Sequence, residues 1–151
     1  MKIRALFAAV AIVGVSGCAQ HVNRDVGAIA GEEGVVDVVE VLHNALGEGD
    51  GARACSLMDR AAQVALIDRT GGEGDCPTAV QEQASGLSDE TRQSLSEVQV
   101  EVELASDVAA SARVIYDGDA AVDAESVLGS DTLQLVRSEG RWTVAEVIVQ
   151  G

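Results

Sequence analysis

Glu97-Val-Gln-Val-Glu-Val-Glu-Leu104 decides the fold. Val98, Val100, Val102 and Leu104 alternate with Gln99, Glu101 and Glu103, so successive side chains leave an extended backbone on opposite sides, one dry and one wet. Such a strand needs neighbours, and the residues after it supply them. Ala110, Ala112, Val114 and Tyr116 predict a second strand, and Asp117-Gly118 predicts a tight hairpin turn behind it. Ala120, Val122 and Ala124 predict a third strand, and Leu133 with Leu135 a fourth. Ser138-Glu-Gly140 turns the chain into a last strand from Arg141 to Val149.

Before Glu97 the period is helical. In Glu33 to Glu48 the residues Val35, Val39, Leu42 and Leu46 fall on one stripe, with Asp37, Glu40 and Asn44 opposite, and Gly47 and Gly49 end the helix. His43 is placed at the edge of that stripe beside Val36, where a solvated ring is the plain expectation and a ligand or catalytic role the sharper one. Asp50 reads as the cap of a short helix from Gly51 to Met58, with Cys55 and Met58 on one inward face. Asp59 caps a helix from Arg60 to Asp68 with Val64 and Ile67 expected inside. Gly71-Gly-Glu-Gly74 is a loop, Pro77 opens a helix that starts at Cys76 and runs to about Ala84, and Ser88 opens one over Asp89 to Leu95. Helices first and antiparallel strands after predict an α+β fold, with the helices packed on one face of the sheet.

The first 17 residues are of another kind. Lys2 and Arg4 precede an apolar run, Ala5 to Val15, that is shorter than the roughly 20 residues a membrane-spanning helix needs. Small Ser16 and Gly17 follow, and then Cys18. Val15-Ser16-Gly17-Cys18 resembles the lipobox of bacterial lipoproteins. The resemblance implies cleavage before Cys18, a diacylglycerol thioether on its sulfur, and a protein held at the cell membrane on its extracytoplasmic side. An ordinary secretory signal with a coincidental cysteine is the alternative. Residues 1–17 are then a signal peptide, 18–34 the lipidated cysteine and a tether, and 35–149 a single domain. As flexible coil the tether spans roughly 20 Å.

Removing the leader takes away two of the ten cationic side chains and none of the 25 carboxylates, leaving a formal charge of −17. Such a balance argues against nucleic acid, whose binding is dominated by phosphate neutralisation, and suits either plain solubility or a docking face for a basic partner. With Cys18 lipidated, Cys55 and Cys76 remain as an even pair in an oxidising compartment. Their bond would stabilise the fold by roughly 3 kcal/mol through the loop it closes; two buried free thiols are the alternative.

Leu46-Gly-Glu-Gly-Asp50, the Ala54-Cys55 helix, Tyr116-Asp-Gly-Asp119 and the hairpin Leu135 to Val144, in that order, resemble the nuclear transport factor 2-like superfamily of ketosteroid isomerases and polyketide cyclases. The likeness covers about Gly34 to Val147. It implies a curved sheet wrapped on helices into a cone, often with a ligand pocket inside, and homodimers through the outer sheet face. Chemistry of the isomerase kind needs a carboxylate base and a hydrogen-bond donor for the oxyanion in an apolar site. Glu146 shares a strand face with Trp142 and Val144, and Tyr116 one with Val114, so these two are the candidates. A frayed or bulged strand would put Glu146 in solvent, and Tyr116 would then be a core or rim aromatic. Aromatic lining is scarce, since Tyr116 and Trp142 alone follow the leader.

Other chemistries lack their residues. Two histidines with no Cys-x-x-Cys offer no zinc site, the loop at Gly71 has no Gly-Lys-Ser/Thr, and Asp117-Gly-Asp119 lacks the further oxygens of a calcium loop. The expectation is a membrane-anchored envelope lipoprotein with no cofactor or metal that binds or scaffolds an envelope protein or a small apolar ligand. The alternative is an isomerase- or cyclase-like enzyme.

Overall fold

The computed structural model describes residues 26–148, and within them five helices come first, as expected, and four strands follow with a sixth helix between the second and the third. The helices are α1 (Glu32–Glu48), α2 (Gly51–Ser56), α3 (Arg60–Arg69), α4 (Cys76–Ser85), α5 (Asp89–Ser96) and α6 (Ala121–Leu128). The strands are β1 (Gln99–Ser106), β2 (Ala109–Ile115), β3 (Thr132–Ser138) and β4 (Arg141–Val147), in an open antiparallel sheet of order β1-β2-β3-β4. Four helix starts are made by side chains that accept a backbone N–H three residues on: Asp50 from Arg53, Asp59 from Ala62, Asp75 from Thr78 and Ser88 from Thr91.

The core lies between one face of the sheet and the helices. Val35, Val38, Val39 and Leu42 of α1 are buried against Ala112, Val114, Leu133, Leu135, Trp142 and Val144, all at 2% exposure or less. The other sheet face carries Gln99, Glu101, Glu103, Ser111, Arg113, Gln134 and Thr143, half-buried or exposed.

The structure corrects the expected third strand. Residues 121–128 form α6, because Ala120, Ala124, Val127 and Leu128 are buried at helical spacing while Val122 stands 78% exposed. Read over three residues, Ala-x-Val-x-Ala mimics alternation; read on to Leu128 it is helical. Asp117-Gly118 accordingly leads into α6 and closes no hairpin. The turn expected at Ser138-Glu-Gly140 is present: Glu139 and Gly140 both take positive φ (52° and 81°), the geometry that matches strand twist. In α3 the buried residues are Ala62 and Leu66, and Val64 is exposed. The Asp59 N–H, bonded to the Val144 carbonyl at 2.8 Å, turns that helix on its axis.

The expected tether ends earlier than residue 34. α1 begins at Glu32, and residues 26–28 are fastened to the sheet: Trp142 N–H donates to the Gly27 carbonyl, Arg137 to that of Ala28 and Arg141 to that of Val26. Gly34 makes this possible. A Cβ there would stand 1.8 Å from the Ile29 carbonyl oxygen, so only glycine lets the chain fold back over the start of α1. Cys18, the leader and the first part of the tether lie outside the described residues.

Candidate functional site

α1 carries the first member of the site. His43 stands one helical turn after Val39, with its Nδ1 2.7 Å from the Val39 carbonyl oxygen. A carbonyl only accepts, so Nδ1 holds the ring proton and Nε2 presents a lone pair. Tyr116, one residue past β2, sets its hydroxyl 2.9 Å from that Nε2 and therefore donates to it. Two hydrogen bonds thus run one way, from the phenol through the imidazole to the backbone of α1.

His43 is fully buried, not at a wet rim. α1 is covered by the sheet on one side and by α5 and α2 on others, which widens its dry band to include Gly47, whose Cβ would touch Leu95 at 3.4 Å. The clue in the sequence is the spacing from Val39, which places His43 over a core valine. Burial lowers its pKa from 6.5 to about 4, against a smaller upward pull from the Val39 carbonyl. Tyr116 is pushed up from 10, first by burial and then by the negative charges of Glu125 and Asp131. Both groups are therefore neutral at physiological pH. The phenol proton is directed at His43, which is inside the protein, and not toward a ligand.

Glu146 is nowhere near it. β4 carries a bulge: Gln134 pairs with Glu146 but Leu135 pairs with Val144, so Ala145 is an extra residue. Beyond the bulge the side-chain alternation is reversed, and Glu146 stands exposed opposite Gln134 on the outer sheet face. Tyr116 is on the inner side with Val114. The expected base and donor are on opposite sides of the sheet, so the two do not form an isomerase pair.

Cys55 and Cys76 are bonded, with Cα atoms 6.1 Å apart. The approach of α2 to α4 depends on Gly51, where a Cβ would stand 2.4 Å from the Pro77 carbonyl oxygen. The bond therefore ties the start of α4 to a helix already lying against it.

Hollows open to the surface among the described residues. One of about 280 Å³ lies between α5 and the loop after Tyr116, among Glu90, Glu97, Asp117 and Asp119. Ser94 and Gln99 already bond to Asp117 there, at 2.8 and 2.9 Å. A second, of about 310 Å³, lies where α1 meets the start of β1, between Glu40, Val41 and Asn44 on one side and Ser96 and Val98 on the other. A third is apolar but only about 40 Å³, lined by Met58, Leu66, Leu128 and Val147 among others. That is far below the roughly 300–1,000 Å³ of small-molecule sites, so it does not take a polycyclic substrate. Among the described residues no three His, Cys, Asp or Glu side chains are placed to hold a metal ion, and no helix is long and apolar enough to cross a membrane.

Fold and bonding define a disulfide-linked α+β protein with a four-stranded open antiparallel sheet. Compared with known proteins, the chain matches no family model, no curated protein and no solved structure.

Proposed function

We propose that the protein is a membrane-anchored lipoprotein of the cell envelope, lipidated at Cys18, whose extracytoplasmic domain has a nuclear transport factor 2-like fold and binds or scaffolds a partner. The observation that carries this reading is the division of labour among three cysteines. Cys55 and Cys76 are joined to each other, as suits an oxidising compartment, and Cys18 stands alone behind Val-Ser-Gly. Helices packed on one face of an open antiparallel sheet are compatible with the superfamily's fold. A binding role is favoured over isomerase chemistry by the closely packed interior and by the separation of Glu146 from Tyr116. Two or more acyl chains hold a protein stably at a bilayer, at roughly 0.8 kcal/mol per buried methylene.

Growth of the producing cells with a labelled fatty acid tests the anchor. Label is expected on the wild-type chain and absent from Cys18→Ser. An unlabelled wild type, or label that survives the substitution, discards it.

A further inference from the structure

The direction of each backbone group on β1 can be worked out from its neighbours. The Val114 N–H donates to the Asp131 carbonyl and the Arg137 N–H to the Val108 carbonyl, so the even-numbered residues of β2 bond toward β3. Its odd-numbered residues then bond toward β1, in the pairs Ile115 with Gln99, Arg113 with Glu101 and Ser111 with Glu103. Val100, Val102 and Leu104 are left with their N–H and C=O groups pointing away from the sheet. Nothing among the described residues bonds to them.

The side chains beside this bare edge are sorted by chemistry. Toward the helices, Val100 and Val102 are half-buried and Leu104 is 39% exposed, and the hollow bounded by Val41 and Val98 lies at the Gln99 end. On the outer face stand Glu101 and Glu103, both exposed. Glu103 faces Ser111, and the Arg113 opposite Glu101 is drawn to Asp131, its Nε 3.2 Å from the carboxylate. Neither glutamate has an ion-pair partner among the described residues.

We propose that the open edge of β1 receives an extended, basic polypeptide segment as a fifth strand. Its backbone would bond to Val100, Val102 and Leu104. Apolar side chains on its inner face would continue the strip of Val100, Val102 and Leu104, and lysine or arginine on its outer face would meet Glu101 and Glu103. A second copy of this chain fits poorly: an antiparallel β1 would bring its own glutamates against these, on a chain whose formal charge is already −15. The proposal names the chemistry of a partner for the binding role above but stands on the sheet edge, so a chain that takes no fatty acid still tests it.

The probe is a peptide of about ten residues alternating valine and lysine, with a valine–glutamate peptide as control, added to the full chain and followed by residue-resolved amide exchange. The lysine peptide should slow exchange at Val100, Val102 and Leu104 by about tenfold or more, and the glutamate peptide should not. Val102→Pro, which removes an N–H that has no partner among the described residues, should abolish the protection. Glu101→Lys with Glu103→Lys should transfer it to the glutamate peptide; this pair breaks no backbone bond and decides the matter if the proline variant does not fold. Equal protection by both peptides, none by either, or protection unchanged in both variants overturns the proposal. So does protection without peptide that grows with protein concentration, which would put a second copy on the edge.

Discussion

The two edges of the sheet have the same backbone logic and opposite surroundings. On β4 the outward-pointing groups are those of Trp142 and Val144, and both of their N–H groups and the Val144 carbonyl are bonded to earlier parts of the chain. Trp142 N–H reaches Gly27, Val144 N–H reaches Leu57 at 2.9 Å, and the Val144 carbonyl receives Asp59. On β1 the corresponding groups of Val100, Val102 and Leu104 have no partner among the described residues. A strand edge is a template for pairing. This molecule covers one edge with its own chain and flanks the other with glutamates, so coverage at β4 comes from loops and restraint at β1 from charge.

Proline breaks the comparison most sharply. Val144→Pro removes an N–H bonded to Leu57 inside the core and should cost about 3 kcal/mol; Val102→Pro, whose N–H has no partner among the described residues, should cost well under half of that by urea unfolding. Equal losses would mean that the two edges are not different. The disulfide comes next. Cys55 lies two residues before Leu57, so the bond holds the segment that covers β4. Replacing both cysteines with alanine should lower stability by about 3 kcal/mol, given a sequence separation of 21. The chemical shift of the Val144 amide should move while that of Val102 does not.

Acid should act on the brace between α1 and β2. His43 has its pKa depressed from 6.5 to about 4 in the folded chain, so the unfolded chain binds the extra proton first. That contribution to stability is intact above pH 6.5 and is lost as pH falls toward 4, reaching about 3 kcal/mol. His43→Phe should flatten this part of the stability–pH curve, and a slope that survives assigns it to other groups. The smallest effect is expected from Tyr116→Phe, which leaves Nε2 without a donor and should cost about 1–2 kcal/mol in thermal unfolding at pH 7.

Much of this was legible in the sequence where a local signal decides the outcome. Asp50, Asp59, Pro77 and Ser88 place helix starts because capping is settled within four residues. The alternation from Val98 to Leu104 places a strand because one face is dry. What could not be read depends on contacts from far along the chain. His43 is buried against Tyr116, which comes from 73 residues further along the chain. Glu146 faces outward because one bulge at Ala145 reverses the side-chain alternation, and nothing in Thr-Val-Ala-Glu announces the extra residue. Residues 26–28 read as a tether because they have no period; their partners are Arg141, Trp142 and Arg137. Ala120 to Ala124 was too short to distinguish helix from strand by its period alone.

The covering of β4 also sets an order of events. Val26 and Gly27 are held by Arg141 and Trp142, more than a hundred residues later. Before the ribosome has delivered β4, Val26 and Gly27 lack their partners on the sheet, and contacts so distant in sequence make closure slow. The β4 edge is therefore sealed last, only after the final strand has been synthesised.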